Sequence, residues 1–162
     1  MFELIENQNE KSRSSRILVV EGYLSHTKSI GSHLDGLAQP VELLSASDAE
    51  TALNLLDKES VSLLIIDVCL RGKMDGFDLC RAIRASVAHR ELPIILLMSG
   101  HLSLERSTGI SAGADLLLHR PVVKGELFRM VQLLFELRST QGSGKFKGTS
   151  EDRSIRRLHS VG

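Results

Sequence analysis

The sequence has no net charge, because 20 Lys and Arg balance 20 Asp and Glu over its 162 residues. That balance argues against a protein built mainly to coat nucleic acid or an anionic membrane, and leaves only local patches for such contacts. Cysteine is scarce. Cys69 and Cys80 are the only two. Their spacing fits no metal-binding pattern, both read as packing residues, and a reducing compartment is the simplest setting for them. Long apolar runs are missing, so no membrane segment is expected. The first residues lack a basic start followed by an apolar run, so no secretory signal is read there. A cytoplasmic location is the default expectation. What the chain does have is 42% hydrophobic residues, enough for one cored domain with tails.

The ends differ from the middle. Residues 1–14 read as a flexible N-terminal segment. Residues 139–162 are rich in Gly, Ser, Lys and Arg and have few apolar side chains beyond Phe146, Ile155 and Leu158, so a disordered basic tail is expected. Residues 15–138 alternate strand and helix patterns. Arg16 to Val20 is a short β-branched apolar run. Leu24 to Leu37 follows as a helix with Ile30 and Leu34 on one face. Val41 to Leu44 is a weaker strand, and Ser47-Asp-Ala-Glu50 matches a capping box that opens a helix carrying Ala52, Leu53, Leu55 and Leu56. Val61 to Ile66 is a third strand. Gly76 precedes a helix with Leu79, Ile83 and Val87 at helical spacing. Pro93 opens a strand at Ile94 to Met98, and a short helix lies near Leu104 to Ser111. Leu116 to His119 is the fifth strand and Val123 to Arg138 the fifth helix. Five buried-type strands separated by helices predict an α/β fold, a doubly wound five-stranded parallel sheet with five helices.

In such sheets ligands gather at the carboxyl ends of the strands, near the point where strand order reverses. Those ends carry Glu21-Gly22 after the first strand, Asp67 after the third, Ser99-Gly100-His101 after the fourth and Arg120-Pro121 after the fifth. Two acids, a hydroxyl and a cation converging on one rim suit phosphoryl chemistry. A carboxylate attacks, a divalent metal neutralises phosphate oxygens, and the hydroxyl and cation hold the others.

The segments Ile17-Leu-Val-Val-Glu21, Leu63-Leu-Ile-Ile-Asp67-Val-Cys-Leu70, Met74-Asp-Gly-Phe77, Leu92-Pro-Ile-Ile95, Ser99-Gly-His101 and Gly113-Ala-Asp115 leading to Arg120-Pro121 occur in the order and approximate spacing of one family. Over roughly residues 15 to 138 the chain resembles the response-regulator receiver domain, with its flavodoxin-like fold. The resemblance implies that Asp67 is the phosphoacceptor and that Ser99 and Arg120 bind the phosphoryl group. It places Glu21, Asp67 and the backbone carbonyl of Cys69 as ligands of Mg2+. Ser99 and Leu117 fall at the switch positions, and Pro121 at the cis-proline.

The chain also departs from the pattern. Two adjacent acids normally end the first strand, and here the second is Gly22, so weak Mg2+ binding is expected. The usual lysine before the proline is Arg120, a wider and differently hydrated cation. The usual aromatic switch residue is Leu117. Between Pro93 and Ser99 there is one residue more than usual; an ungapped count would put Met98 at the hydroxyl position, and Ser99 is preferred because Gly100-His101 follows it. The loop Arg71-Gly-Lys-Met-Asp75 is one residue longer than the commonest form.

The reading is a single-domain response regulator of a phosphorelay. It takes a phosphoryl group from a sensor histidine kinase or histidine phosphotransfer protein and signals by protein contacts, with no DNA-binding domain in its tail and no enzyme activity. The alternative is a pseudo-receiver, a phosphorylation-independent interaction module. A phosphohydrolase of the haloacid dehalogenase type needs a second acid where Cys69 stands. A flavodoxin-like flavin binder needs a phosphate loop where Glu21-Gly-Tyr-Leu24 places an anion. The helix at 123–138 is apolar over a wide arc. Leu127, Val131 and Leu134 form one stripe, Met130, Leu133 and Leu137 the next, with Phe128 and Phe135 on the other flank. A homodimer through this helix is expected, the alternative cover being Met1, Phe2, Leu4 and Ile5.

Overall fold

The structure is a computed structural model, and it describes residues 14–23, 27–100 and 103–140. The readings made for residues 1–13 and 141–162 lie outside the described residues. Five strands, β1 (Ser15–Val20), β2 (Val41–Ala46), β3 (Leu63–Asp67), β4 (Ile94–Met98) and β5 (Leu116–His119), form one sheet in the order β2-β1-β3-β4-β5. Every pairing is parallel. The helices are α1 (Thr27–His33), α2 (Ala49–Lys58), α3 (Gly76–Ala85), α4 (Ser103–Ala112) and α5 (Lys124–Thr140).

Both faces of the sheet are covered, which is why the central strands are apolar at every position rather than at alternate ones. Ile17 to Val20, Leu63 to Ile66 and Ile94 to Met98 have no exposed surface. Leu18, Val20, Leu64, Ile66 and Leu96 pack toward α2 and α3 with Leu56, Leu79 and Ile83. Ile17, Val19, Ile65, Ile95 and Leu97 pack on the opposite face with Ile30, Leu127 and Val131. Burying even-numbered and odd-numbered residues on opposite faces fixes the register, because a one-residue slip would exchange the two sets.

Local chemistry moves several boundaries. The expected Ser47–Glu50 capping box does not form. Asp48 is the cap of α2, its carboxylate accepting the Thr51 N–H at 2.8 Å, while the Ser47 hydroxyl bonds to Asp48. The capping box occurs at α3 instead, where Asp75 and Asp78 each accept the other's backbone N–H. Helix α3 stops at Ala85, so Val87, expected on its apolar face, is 82% exposed. Helix α1 ends at His33, before Leu37, and β3 starts at Leu63 rather than Val61. Helix α5 continues through Ser139 and Thr140, two residues read as the start of the tail. Among the described residues no helix is long and apolar enough to cross a membrane.

Candidate functional site

Strand order reverses between β1 and β3, so the first connections from these strands leave to opposite faces and open a crevice at their carboxyl ends. Glu21 follows β1 and Asp67 ends β3, and both are buried at that crevice. Arg120, after β5, joins them. Its Nη2 donates to Glu21 Oε1 and to Asp67 Oδ2, each at 2.6 Å, and its Nε donates to the same Asp67 oxygen at 3.0 Å. The other Asp67 oxygen, Oδ1, accepts the Cys69 backbone N–H at 2.8 Å.

Two buried carboxylates side by side repel each other and lose their hydration, so this cluster depends on its cation. Burial by itself lowers the pKa of Arg120. The hydrogen bond to Glu21 and the charge of and hydrogen bond to Asp67 outweigh it, and the guanidinium is held above its ordinary value. Nη2 carries two donors, one for each acid, and Nε adds a second bond to Asp67, so one side chain serves both acids.

Glycines bring the chain close to Asp67. A Cβ at Gly76 would overlap the Asp67 carbonyl oxygen, so the first residue of α3 must lack a side chain for the helix to start beneath β3. Gly22 plays the matching part on the other side. Its φ is not in the left-handed region. A Cβ there would lie 2.9 Å from the Cys69 carbonyl oxygen and 3.5 Å from both Arg71 N and Cγ. The Arg71 guanidinium then rests over the exposed Tyr23 ring, 4.9 Å from its centroid.

The remaining sequence candidates fall around this cluster. Ser99 is exposed on the rim, its Oγ 3.6 Å from Cys69 Sγ, whereas Met98 is fully buried within β4. Cys69 is therefore an exposed rim residue and not the packing residue expected. Cys80 is buried, donates to the Ala112 carbonyl, and has its thiol pushed up to about 11 by burial. Leu117 lies apart from the cluster. It is half-buried in the core and meets α4 at Gly109, where a Cβ would come within 2.8 Å of its side chain. The Arg120–Pro121 peptide is cis. His101 lies outside the described residues.

Three oxygen sources, the Glu21 and Asp67 carboxylates and the Cys69 carbonyl, fit a hard divalent cation in kind. They include two carboxylates, and Arg120 engages both. Among the described residues no cluster of three or more His, Cys, Asp or Glu side chains is arranged to hold a metal. A feature not read from the sequence is the lock behind the site. Arg84 on α3 donates to the carbonyls of Gly113, Arg90 and Leu92 and to the Asp115 carboxylate, all within 2.8 Å, and Asp115 also accepts the Ile94 N–H. Asp115, standing just before β5 in the Gly113-Ala-Asp115 segment, was the available signal.

Comparison with known proteins agrees with this geometry. The family model for the response regulator receiver domain matches residues 17–132. The response regulator PleD of Caulobacter vibrioides is 30% identical over 142 residues, an alignment covering 83% of this chain and 31% of PleD. This chain thus spans about a third of that relative's length. A crystal structure described as a response regulator from Chloroflexus aurantiacus superimposes with a TM-score of 0.70 at 27% identity, covering 76% of this chain and 99% of the other. The receiver domain of the sensor histidine kinase PA1611 from Pseudomonas aeruginosa, which holds a magnesium ion in its active-site cleft, gives 0.67 at 26% identity, covering 76% and 98%.

Proposed function

This chain belongs to the response-regulator receiver family, a family of signalling modules, and from that premise we propose that it accepts a phosphoryl group on Asp67. The observation that carries this reading is the placement of a buried carboxylate at the switch point of the sheet, with one oxygen on the Cys69 N–H and the other on Arg120. The donor is a phosphohistidine of a sensor histidine kinase or histidine phosphotransfer protein. An Asp67 carboxylate oxygen attacks phosphorus, the phosphorus–nitrogen bond breaks, and the imidazole nitrogen keeps the bonding pair and is protonated. In this reading Arg120 holds the phosphoryl oxygens as they leave the histidine, and Ser99 on the rim supplies a hydroxyl to them. Mg2+, when bound by Glu21, Asp67 and the Cys69 carbonyl, offsets phosphoryl charge. With Gly22 in place of an acid, its binding is weak. The phosphorylated domain then signals by protein contacts, in the cytoplasm.

Intact mass spectrometry after exposure to a small phosphodonor with Mg2+ tests the assignment. Wild-type protein gains one acid-labile phosphoryl group, and Asp67→Asn gains none. Label remaining on a carboxylate of the variant would show that the acceptor lies elsewhere.

A phosphorylation-independent module is the second reading. It is favoured by Leu117, which packs against Gly109 in the place of an aromatic switch residue. Absence of any mass gain in wild-type protein would select it. Either reading is compatible with self-association through α5. Leu127 and Val131 face the sheet and Leu134, Met130 and Phe135 are partly covered, while Leu133 and Leu137 are 42% and 49% exposed. Light scattering at tens of micromolar is expected to report a dimer. A strict monomer, unchanged on deleting Met1 to Ile5, would remove that part of the proposal.

A further inference from the structure

Arg120 does more than flank the acceptor. The same nitrogen, Nη2, serves Glu21 Oε1 and Asp67 Oδ2, so one guanidinium ties together the two acids that would otherwise repel. A divalent cation placed between these acids needs the same lone pairs and the same space. We propose that Arg120 is the resident counter-cation of the site, and that a divalent metal binds only by displacing it from Glu21 and Asp67. This rests on Asp67 being the acceptor only for its consequence in signalling; the competition itself concerns the unphosphorylated protein.

A second observation closes the other route. A metal could keep its affinity with Arg120 in place if another carboxylate reached it from the β1 side. That position is Gly22, and the space a side chain would fill is bounded by the Cys69 carbonyl oxygen at 2.9 Å and by Arg71 at 3.5 Å. The Arg71 side chain passes this point and ends on Tyr23. The β1 side of the cluster therefore offers no third acid, and the nearest side chain to that position is the stem of Arg71. Electrostatically, both changes work in one direction: Arg120 satisfies the two acids, and the absence of a third acid at Gly22 lowers the field that would draw in a dication.

Lysine at 120 has one compact ammonium that can face both acids, but it has no counterpart of Nε and so loses the second donation to Asp67 Oδ2. Arg120→Lys is expected to bind Mg2+ on the order of tenfold more tightly, the equivalent of one charge-assisted hydrogen bond lost from the competitor. Arg120→Gln, which removes the charge, is expected to bind at least as tightly as the lysine variant. The measurement is a calorimetric Mg2+ titration of the full chain, with circular dichroism confirming that each variant is folded. A variant-free readout stands beside it. Mg2+ added to wild-type protein should shift the Arg120 Nε–Hε resonance in step with saturation, because the guanidinium leaves its acids. Folded variants that bind Mg2+ no more tightly than wild type, or saturation of wild type with that resonance unmoved, would overturn the proposal. The phosphodonor experiment is scored separately. Asp67 labelling with no gain in Arg120→Lys rejects the competition alone, and a gain without labelling rejects the acceptor alone.

Discussion

Replacing Gly22 separates the steric and electrostatic contributions to metal binding. The backbone there is not left-handed, so a side chain meets no φ penalty. It does meet the Cys69 carbonyl oxygen, 2.9 Å from where its Cβ would sit, and that oxygen belongs to backbone that must move by a few tenths of an ångström. For Gly22→Ala, overpacking costs about 1–3 kcal/mol, against about 0.4–1 kcal/mol regained from a stiffer unfolded chain. A net loss of about 1 kcal/mol corresponds to a melting temperature lower by roughly 3–5 °C for a domain of this size. Gly22→Asp adds a negative charge to a cluster whose Glu21, Asp67 and Arg120 already carry a net charge of minus one. Two like charges roughly 6 Å apart repel by roughly 3 kcal/mol at an effective dielectric near 20, and Arg120 and Arg71 offset part of that. In EDTA the aspartate variant should therefore melt below the alanine variant.

Metal reverses that order. A third carboxylate gives Mg2+ an acid that Arg120 does not hold, and a ligand at 100 times its dissociation constant stabilises by about 2.7 kcal/mol. Thermal melts of wild type, Gly22→Ala and Gly22→Asp in EDTA and in excess Mg2+ read both contributions. The aspartate variant alone should rise substantially with metal. Equal Mg2+ responses in the two variants would show that position 22 is not where a ligand is missing. An alanine variant melting with wild type would show that the Cys69 carbonyl yields freely.

Two further outcomes test the frame around the site. Arg84→Ala removes the cation from a nearly buried Asp115 and one donor group from three carbonyls; a loss of about 3 kcal/mol is expected, as for other broken buried pairs, and calorimetry should show a melting temperature roughly 10 °C lower. Asp48→Ala should lower stability by about 1 kcal/mol in urea titrations at neutral pH, through loss of the α2 cap. Hydrogen bonds from the Thr51 backbone and the Ser47 hydroxyl hold the Asp48 carboxyl below its ordinary value. Its contribution is thus present above the unfolded value of about 4 and lost as pH falls through the lower folded value, so the gap between the two proteins should close in acid.

The sheet was legible because strands buried on both faces leave uninterrupted apolar runs, and the acids at their ends stand out against them. Boundaries were less so. Ser47 and Asp48 are adjacent capping residues, and sequence offers no means of choosing between them; the carboxylate took the Thr51 N–H and the hydroxyl was left to support it. Val87 continues the α3 periodicity, yet the chain turns at Ser86, where Arg90 N–H bonds to the Ser86 carbonyl and Arg84 anchors the returning loop at Arg90 and Leu92. These are a four-residue turn and side-chain-to-carbonyl bonds spanning six and eight residues, which an apolar periodicity does not register. Of the two stripes read on α5, the first has Leu127 and Val131 buried and Leu134 partly covered, while the second divides, with Met130 partly covered and Leu133 and Leu137 exposed.

The departures at Gly22 and Arg120 were read from sequence as two separate defects, and the structure makes them one arrangement. Arg120 and Glu21 are 99 residues apart, so no local pattern shows that they touch. Once they do, the missing acid and the larger cation compensate each other. With a second carboxylate beside Glu21, one guanidinium would be left facing three acids and the cluster would call for a dication. With Gly22 there are two acids, and one guanidinium nitrogen reaches both. Substituting only Gly22 with an acid leaves a surplus of negative charge, and substituting only Arg120 with lysine loosens the hold on Asp67 by the lost Nε donation. Each single change should therefore raise the demand for a metal ion, by opposite means, and the double variant should raise it further than either.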